Sequence, residues 1–138
     1  MTPVGGPPLL DTDTLSEVLK GHDLSVARRA REYLSTFHRF HFSIITRYEI
    51  LRGLLAKAAP RQVERFEARC RESLVLPLSD PIVRRAAEFY AYLSNRGEII
   101  SDADLLIAAT AQIHDRLLVT ENVDHFNRLP ELQIESWR

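Results

Sequence analysis

A three-layer α/β sandwich is the architecture the sequence predicts, with a mainly parallel central sheet of about five short strands and helices on both faces. Three observations point to it. Short apolar runs that end in polar residues alternate with longer stretches of three- and four-residue apolar spacing, the order expected of strands feeding crossover helices. The boundaries between them carry helix start and stop residues. At 138 residues the chain is long enough for one core and short of the length at which chains usually divide.

Residues 1–8, "MTPVGGPP", are rich in Pro and Gly and read as a flexible arm or an upstream start, leaving 9–138 as the domain. "PLLD" is a first buried strand ending at Asp11, and "TDTLSEVLKG" is a helix stopped by Gly21. Leu24, Ala27, Ala30, Tyr33, Leu34 and Phe37 recur at helical spacing and make 24–37 an amphipathic helix. "FHFSII", 40–45, is the second strand. Tyr48, Leu51, Leu54 and Leu55 put a helix over 46–57, and Pro60 opens the next, which runs towards Ser73. "LVLPL" is the third strand, assigned to a sheet edge because Pro77 has no N–H to give a ladder. "SDPIVRRAAEFYAYLSNRG" has Ser79 as a cap, Pro81 early in the helix and Gly97 past its end. "SDADLLIAATAQ", 101–112, forms the next helix, "RLLVT" a strand, "NVDHF" a short helical turn and "LQIESW" the last strand.

Apolar residues make up 45% and charged residues 27%, values of an ordinary globular protein. No apolar run approaches the roughly 20 residues needed to cross a bilayer, and the first residues do not resemble a signal peptide, so a cytoplasmic setting is expected. Cys70 is the single cysteine, which excludes an internal disulfide framework and a Cys-based zinc site; its spacing from Val63 and Phe66 suits a helix core face. The formal charge of -1 gives no basic footprint for nucleic acid. The cations are nevertheless lopsided: Lys20 and Lys57 are the only lysines among 18 basic residues. Arginine's planar fork suits phosphate and carboxylate alike, so the bias is no more than suggestive.

In open α/β sheets, ligands bind beyond the carboxyl ends of the strands. Asp11 and Asp13 follow the first strand, and Glu121, Asn122 and Asp124 follow "RLLVT". Glu49 lies about one turn into the helix after the second strand, and Asp102 and Asp104 open theirs. Carboxylates gathered at one edge raise one another's pKa, a cost that a divalent cation removes. Mg²⁺ or Mn²⁺ takes such oxygen ligands and leaves room for waters and substrate phosphates, which suggests metal-assisted phosphoryl chemistry.

Plainer readings stand beside this one. Ser101 with Asp104 three residues later forms a capping box, and Asp102 suits the helix dipole. Asp11 or Asp13 equally well caps "TDTLSEVL". Glu49 is expected in water beside the apolar face. The five histidines, His22, His38, His41, His114 and His125, show no ligand spacing and are read as surface or core residues. Arg47, Arg52 and Arg128 are solvated charges by default. "LLDTDTL" also resembles the DxDx[TV] nucleophile loop of haloacid-dehalogenase-like phosphatases, but Leu15 stands where Thr or Val belongs. No lysine follows Lys57 to serve those enzymes, or the response-regulator receivers.

Taken together, "LLDTDTLS", "SIITRYEILRG" and "DADLLIAATAQIHDRLLVTENVDHFNRLPELQIESW" resemble the PIN domain, and within it the VapC-type ribonuclease toxins of toxin–antitoxin pairs. The resemblance implies a PIN-like fold, an endoribonuclease dependent on Mg²⁺ or Mn²⁺ and acting on a tRNA or rRNA loop, a homodimer, and silencing by a VapB-type antitoxin. It implies that Asp11 and Asp104 are the metal ligands and that Glu49 is the acid of the helix after strand two. Asp102 falls on no motif position. Asp13 stands where the family often has Asn, and Asn122 where many members have a fourth acid, which leaves one or two ions open and Glu121 or Asp124 as substitutes. The alternative is a catalytically inactive PIN-fold module that binds RNA or protein.

Overall fold

A computed structural model describes residues 5–138. The order is β1 (Leu9–Leu10), α1 (Thr12–Lys20), α2 (Leu24–Phe37), β2 (His41–Ser43), α3 (Ile44–Ala56), α4 (Pro60–Arg71), β3 (Leu74–Leu76), α5 (Asp80–Ser94), α6 (Asp102–Ile113), β4 (Leu118–Val119), α7 (Val123–Phe126) and β5 (Ile134–Glu135). The five strands form one sheet in the order β3-β2-β1-β4-β5, and every pairing is parallel. Chain order reverses at β1. The crevice outside its carboxyl end is therefore the place where such a sheet binds ligands.

The three inner strands β1, β2 and β4 are short but buried on both sides, because successive side chains point to opposite faces, while the edge strands β3 and β5 are largely half-buried. Leu9 and Leu118 enter a core with Ile82, Phe89, Leu105 and Ile107 from α5 and α6, while Leu10 and Val119 enter a second core on the other face with Leu15, Val26, Phe42 and Phe66. The register Leu9↔Leu118 and Leu10↔Val119 keeps each pair on one side. On α6, buried Ala108, Ala109 and Ala111 let the helix pack closely against its surroundings, and its buried Thr110 hydroxyl donates to the Leu106 carbonyl 2.7 Å away. Gly21 ends α1 in the left-handed conformation, φ 70°, that an L side chain resists.

The strands are shorter than their apolar runs. The second was expected over 40–45, yet Ile44 and Ile45 already belong to α3. Ser43 stops the strand: its hydroxyl accepts from the Ile45 amide at 3.0 Å and caps the helix. β3 is at the sheet edge as expected and ends at Leu76, so Pro77 lies beyond the ladder. The segments expected over 116–120 and 132–137 contract to Leu118–Val119 and Ile134–Glu135.

Part of the arm expected over residues 1–8, residues 1–4, lies outside the described residues. Pro7 and Pro8 are tied to the body: the Pro7 carbonyl accepts from Arg116 at 2.7 Å, and the Pro8 carbonyl accepts from the Tyr33 hydroxyl at 2.7 Å. A Cβ on Gly5 would lie 2.4 Å from the His114 carbonyl oxygen, so the chain passes there without a side chain. No helix among the described residues is long and apolar enough to cross a membrane.

Candidate active site

Asp11 follows β1 at the switch point. It is 4% exposed and caps α1, its Oδ1 accepting from the Thr14 amide at 2.8 Å. The capping and strand-end readings therefore hold together for one residue. Burial pushes its carboxyl up to about 6, helped by the charge of Asp13, while hydrogen bonds from Thr120 and Thr14 favour the carboxylate. Thr120 is fully buried just after β4, and its hydroxyl oxygen also accepts from the Asn122 amide at 3.0 Å.

Asp104 sits in the first turn of α6. Ser101 Oγ accepts from its amide at 3.2 Å, the cap expected from the sequence, and Asp102 beside it is exposed. The Asp104 carboxyl is raised chiefly by burial and then by the negative charges of Glu49 and Asp13, against the Ser101 hydrogen bond and the His125 charge. Those influences show which groups surround it. Acids from α1, α3 and α6 share one edge of the sheet, with His125 of α7 close by.

Glu49 is half-buried rather than in open water. Thr12 donates to its Oε1 at 2.6 Å, the Thr12 and Thr46 hydroxyl oxygens are 3.1 Å apart, and Arg52 stands 3.7 Å from Oε2. A hydroxyl cluster between α1 and α3 therefore fixes the acid's orientation. Asn122 Nδ2 lies 2.8 Å from His125 Nδ1. Sequence reasoning missed Thr12, Thr46 and His125 because no motif marks a contact between separate helices. Thr46 preceding Glu49 by three residues, on the same helix face, was the available signal.

Glu121 does not stand in for the missing fourth acid. Its Oε2 accepts from the Ser136 hydroxyl at 2.7 Å and its Oε1 from the Trp137 amide at 2.8 Å, so both oxygens anchor the C-terminal segment. Asp124 is exposed on α7. Arg47, Arg52 and Arg128 all have carboxylate neighbours, in Glu67, Glu49 and Glu98.

The donor set suits a hard cation, being carboxylate oxygens whose ionisation is suppressed by burial and mutual repulsion. Among the described residues, no three acidic, histidine or cysteine side chains stand close enough together to wrap one ion.

The PIN domain profile matches residues 9–132. Ribonuclease VapC19 of Mycobacterium tuberculosis is 34% identical over 91% of this chain and 96% of its own length. The tRNA(fMet)-specific endonuclease VapC of Salmonella typhimurium is 29% identical over 94% of this chain and 96% of its own. Among solved structures, a chain of DNA-bound VapBC from Salmonella typhimurium superposes with a TM-score of 0.84 and 26% identity, over 96% of this chain and 98% of that one.

Proposed function

The chain belongs to the PIN domain family, and on that premise we propose that it is a metal-dependent endoribonuclease, a toxin that cuts RNA in the cytoplasm until a VapB-type antitoxin neutralises it. The catalytic part is supported at the switch-point edge of the sheet by the charge of Asp13, which acts on both Asp11 and Asp104, and by that of Glu49, which acts on Asp104. Relatives named as ribonucleases, and neighbours named as VapBC complexes, support the rest.

Asp11 and Asp104 would hold Mg²⁺ or Mn²⁺. Bound there, the ion supplies positive charge against a phosphodiester and lowers the pKa of water. Glu49, steadied by Thr12, orients the attacking water and takes its proton; attack in line with the leaving oxygen gives a 5′-phosphate and a 3′-hydroxyl without the 2′-hydroxyl. Asn122 contributes through a bridging water, in place of an acid.

The test is Asp104→Asn, which keeps the side-chain shape and leaves the backbone amide that Ser101 caps. RNA cleavage with Mg²⁺ or Mn²⁺ should fall below detection while the circular dichroism spectrum is unchanged. Cleavage at the wild-type rate would remove Asp104 from the assignment. RNA binding by wild-type protein, freed of any partner, with no metal-dependent cleavage would favour the inactive module instead.

A further inference from the structure

Beside the acidic site lies a groove of about 730 Å³ between α1, α3 and α4. Glu49 lines it and is also the acid whose charge acts on Asp104, so the groove and the site share that residue. Its other charged and titratable walls are Lys20, His22, Lys57, Arg65 and Arg69. Both lysines of a chain with a net charge of -1 are here. Among the described residues, neither lysine nor Arg65 pairs with a carboxylate.

Gly53 is the second observation. It occupies the interior of α3, where glycine is disfavoured relative to alanine, and it lines the groove between Glu49 and Lys57. An added Cβ would meet nothing within 4 Å, and the backbone there is ordinary helix. Neither packing nor conformation inside the protein requires glycine. A strand lying close against the α3 backbone would require it.

We propose that this groove seats the RNA strand next to the scissile phosphate, its backbone passing over Gly53 with phosphates neutralised by Lys20, Lys57, Arg65 and Arg69. The inference rests on the proposed nuclease function, which needs a phosphate delivered to the acids beside Glu49. The cations lie on α1 and α4 and at the C-terminal cap of α3, around the groove, as a polyanion running along it demands. Single-stranded nucleic acid is held by such charged channels, and its binding weakens with salt in proportion to the phosphates neutralised.

The probe is a fluorescent oligouridylate of about 12 nucleotides, bound to the full Asp104→Asn chain at several salt concentrations. Adding Lys57→Glu with Arg65→Glu should weaken binding by about tenfold or more and make the log–log salt slope shallower by about 1.4, the value for two lost phosphate contacts. Arg84→Glu on α5 with Arg96→Glu just past its end, across the sheet, should leave affinity within about twofold. Gly53→Leu should weaken binding about as much without lowering Tm, so the inference does not depend on how well the charge variant folds. Unchanged affinity in both groove variants overturns it, as does failure of the Asp104→Asn parent to bind the probe. RNA binding untouched while an acidic antitoxin segment is released would make the groove a protein site and overturns it too. Cleavage by the wild-type chain is measured in parallel. Cleavage that survives the groove variants at the wild-type rate sinks the groove alone, whereas groove-dependent binding without any metal-dependent cleavage sinks the nuclease reading alone.

Discussion

Glu49 shows how a single hydroxyl decides whether an acid is usable. A helical glutamate is held in one orientation only when something grips it, and Thr12 does so from another helix at 2.6 Å. A hydrogen bond to a charged group contributes about 1.5–3 kcal/mol, and a loss of that size in the transition state is roughly 10- to 100-fold in rate. Thr12→Val, which keeps the shape and removes the donor, should lower kcat by that factor and leave KM for RNA nearly unchanged. Thr12→Ser should restore most of it. A Thr12→Val enzyme with full kcat would mean that Glu49 needs no such orientation. Asp11 and Asp104 were legible in the sequence because each stands at a chain position, strand end or helix start, where an acid is recognisable. Thr12 was not, because its partner Glu49 is distant in sequence and meets it only once the sheet has assembled.

At the scale of elements, the end of β4 divides its polar residues between two tasks. Thr120 favours the Asp11 carboxylate and accepts from the Asn122 amide, and the Asn122 side chain lies against His125, while Glu121 between them holds the C-terminal segment. These residues follow the last strand residue, Val119, and lead into α7, for which Asn122 is the N-cap residue. Glu121 holds Ser136 and the amide of Trp137, whose ring is 4% exposed in the second core. Glu121→Ala should therefore cost about 1–3 kcal/mol, measured by urea unfolding, and leave metal-dependent cleavage within about twofold. A variant as stable as the parent but unable to cleave would put Glu121 back among the functional acids. The kind and order of the elements were readable from apolar period and caps. Their limits were not: "FHFSII" reads as one apolar run, and the hydroxyl of Ser43 divides it between a strand and a helix.

For the whole molecule, the acids at the switch point set a cost that the fold carries whenever no cation is bound. An unfolded chain ionises Asp11 at its ordinary value of 3.8, whereas the folded chain holds the proton up to about 6. The folded state thus binds more protons between those values. Stability from this group is full below pH 3.8 and is lost as pH rises to about 6; above that the deficit is constant. A shift of this size is worth about 3 kcal/mol. Asp104 is raised by the same causes and adds in the same direction. Asp23 and Glu67, whose pKa values are lowered by hydrogen bonds to the Val26 amide and to Arg47, run the other way and lose their contribution in acid. Total stability therefore hides the effect, and a difference between variants isolates it. Asn accepts the Thr14 amide as Asp does, so Asp11→Asn keeps the cap of α1. In EDTA, the stability of Asp11→Asn relative to the wild-type chain should increase from pH 4 to pH 7 by roughly 2 kcal/mol. A divalent cation binds the ionised pair and must displace the proton, so Mn²⁺ should raise the wild-type Tm more at pH 7 than at pH 5, and Asp11→Asn should lose most of that rise. An equal Mn²⁺ effect at both pH values, retained in Asp11→Asn, would place the ion somewhere other than the edge of β1.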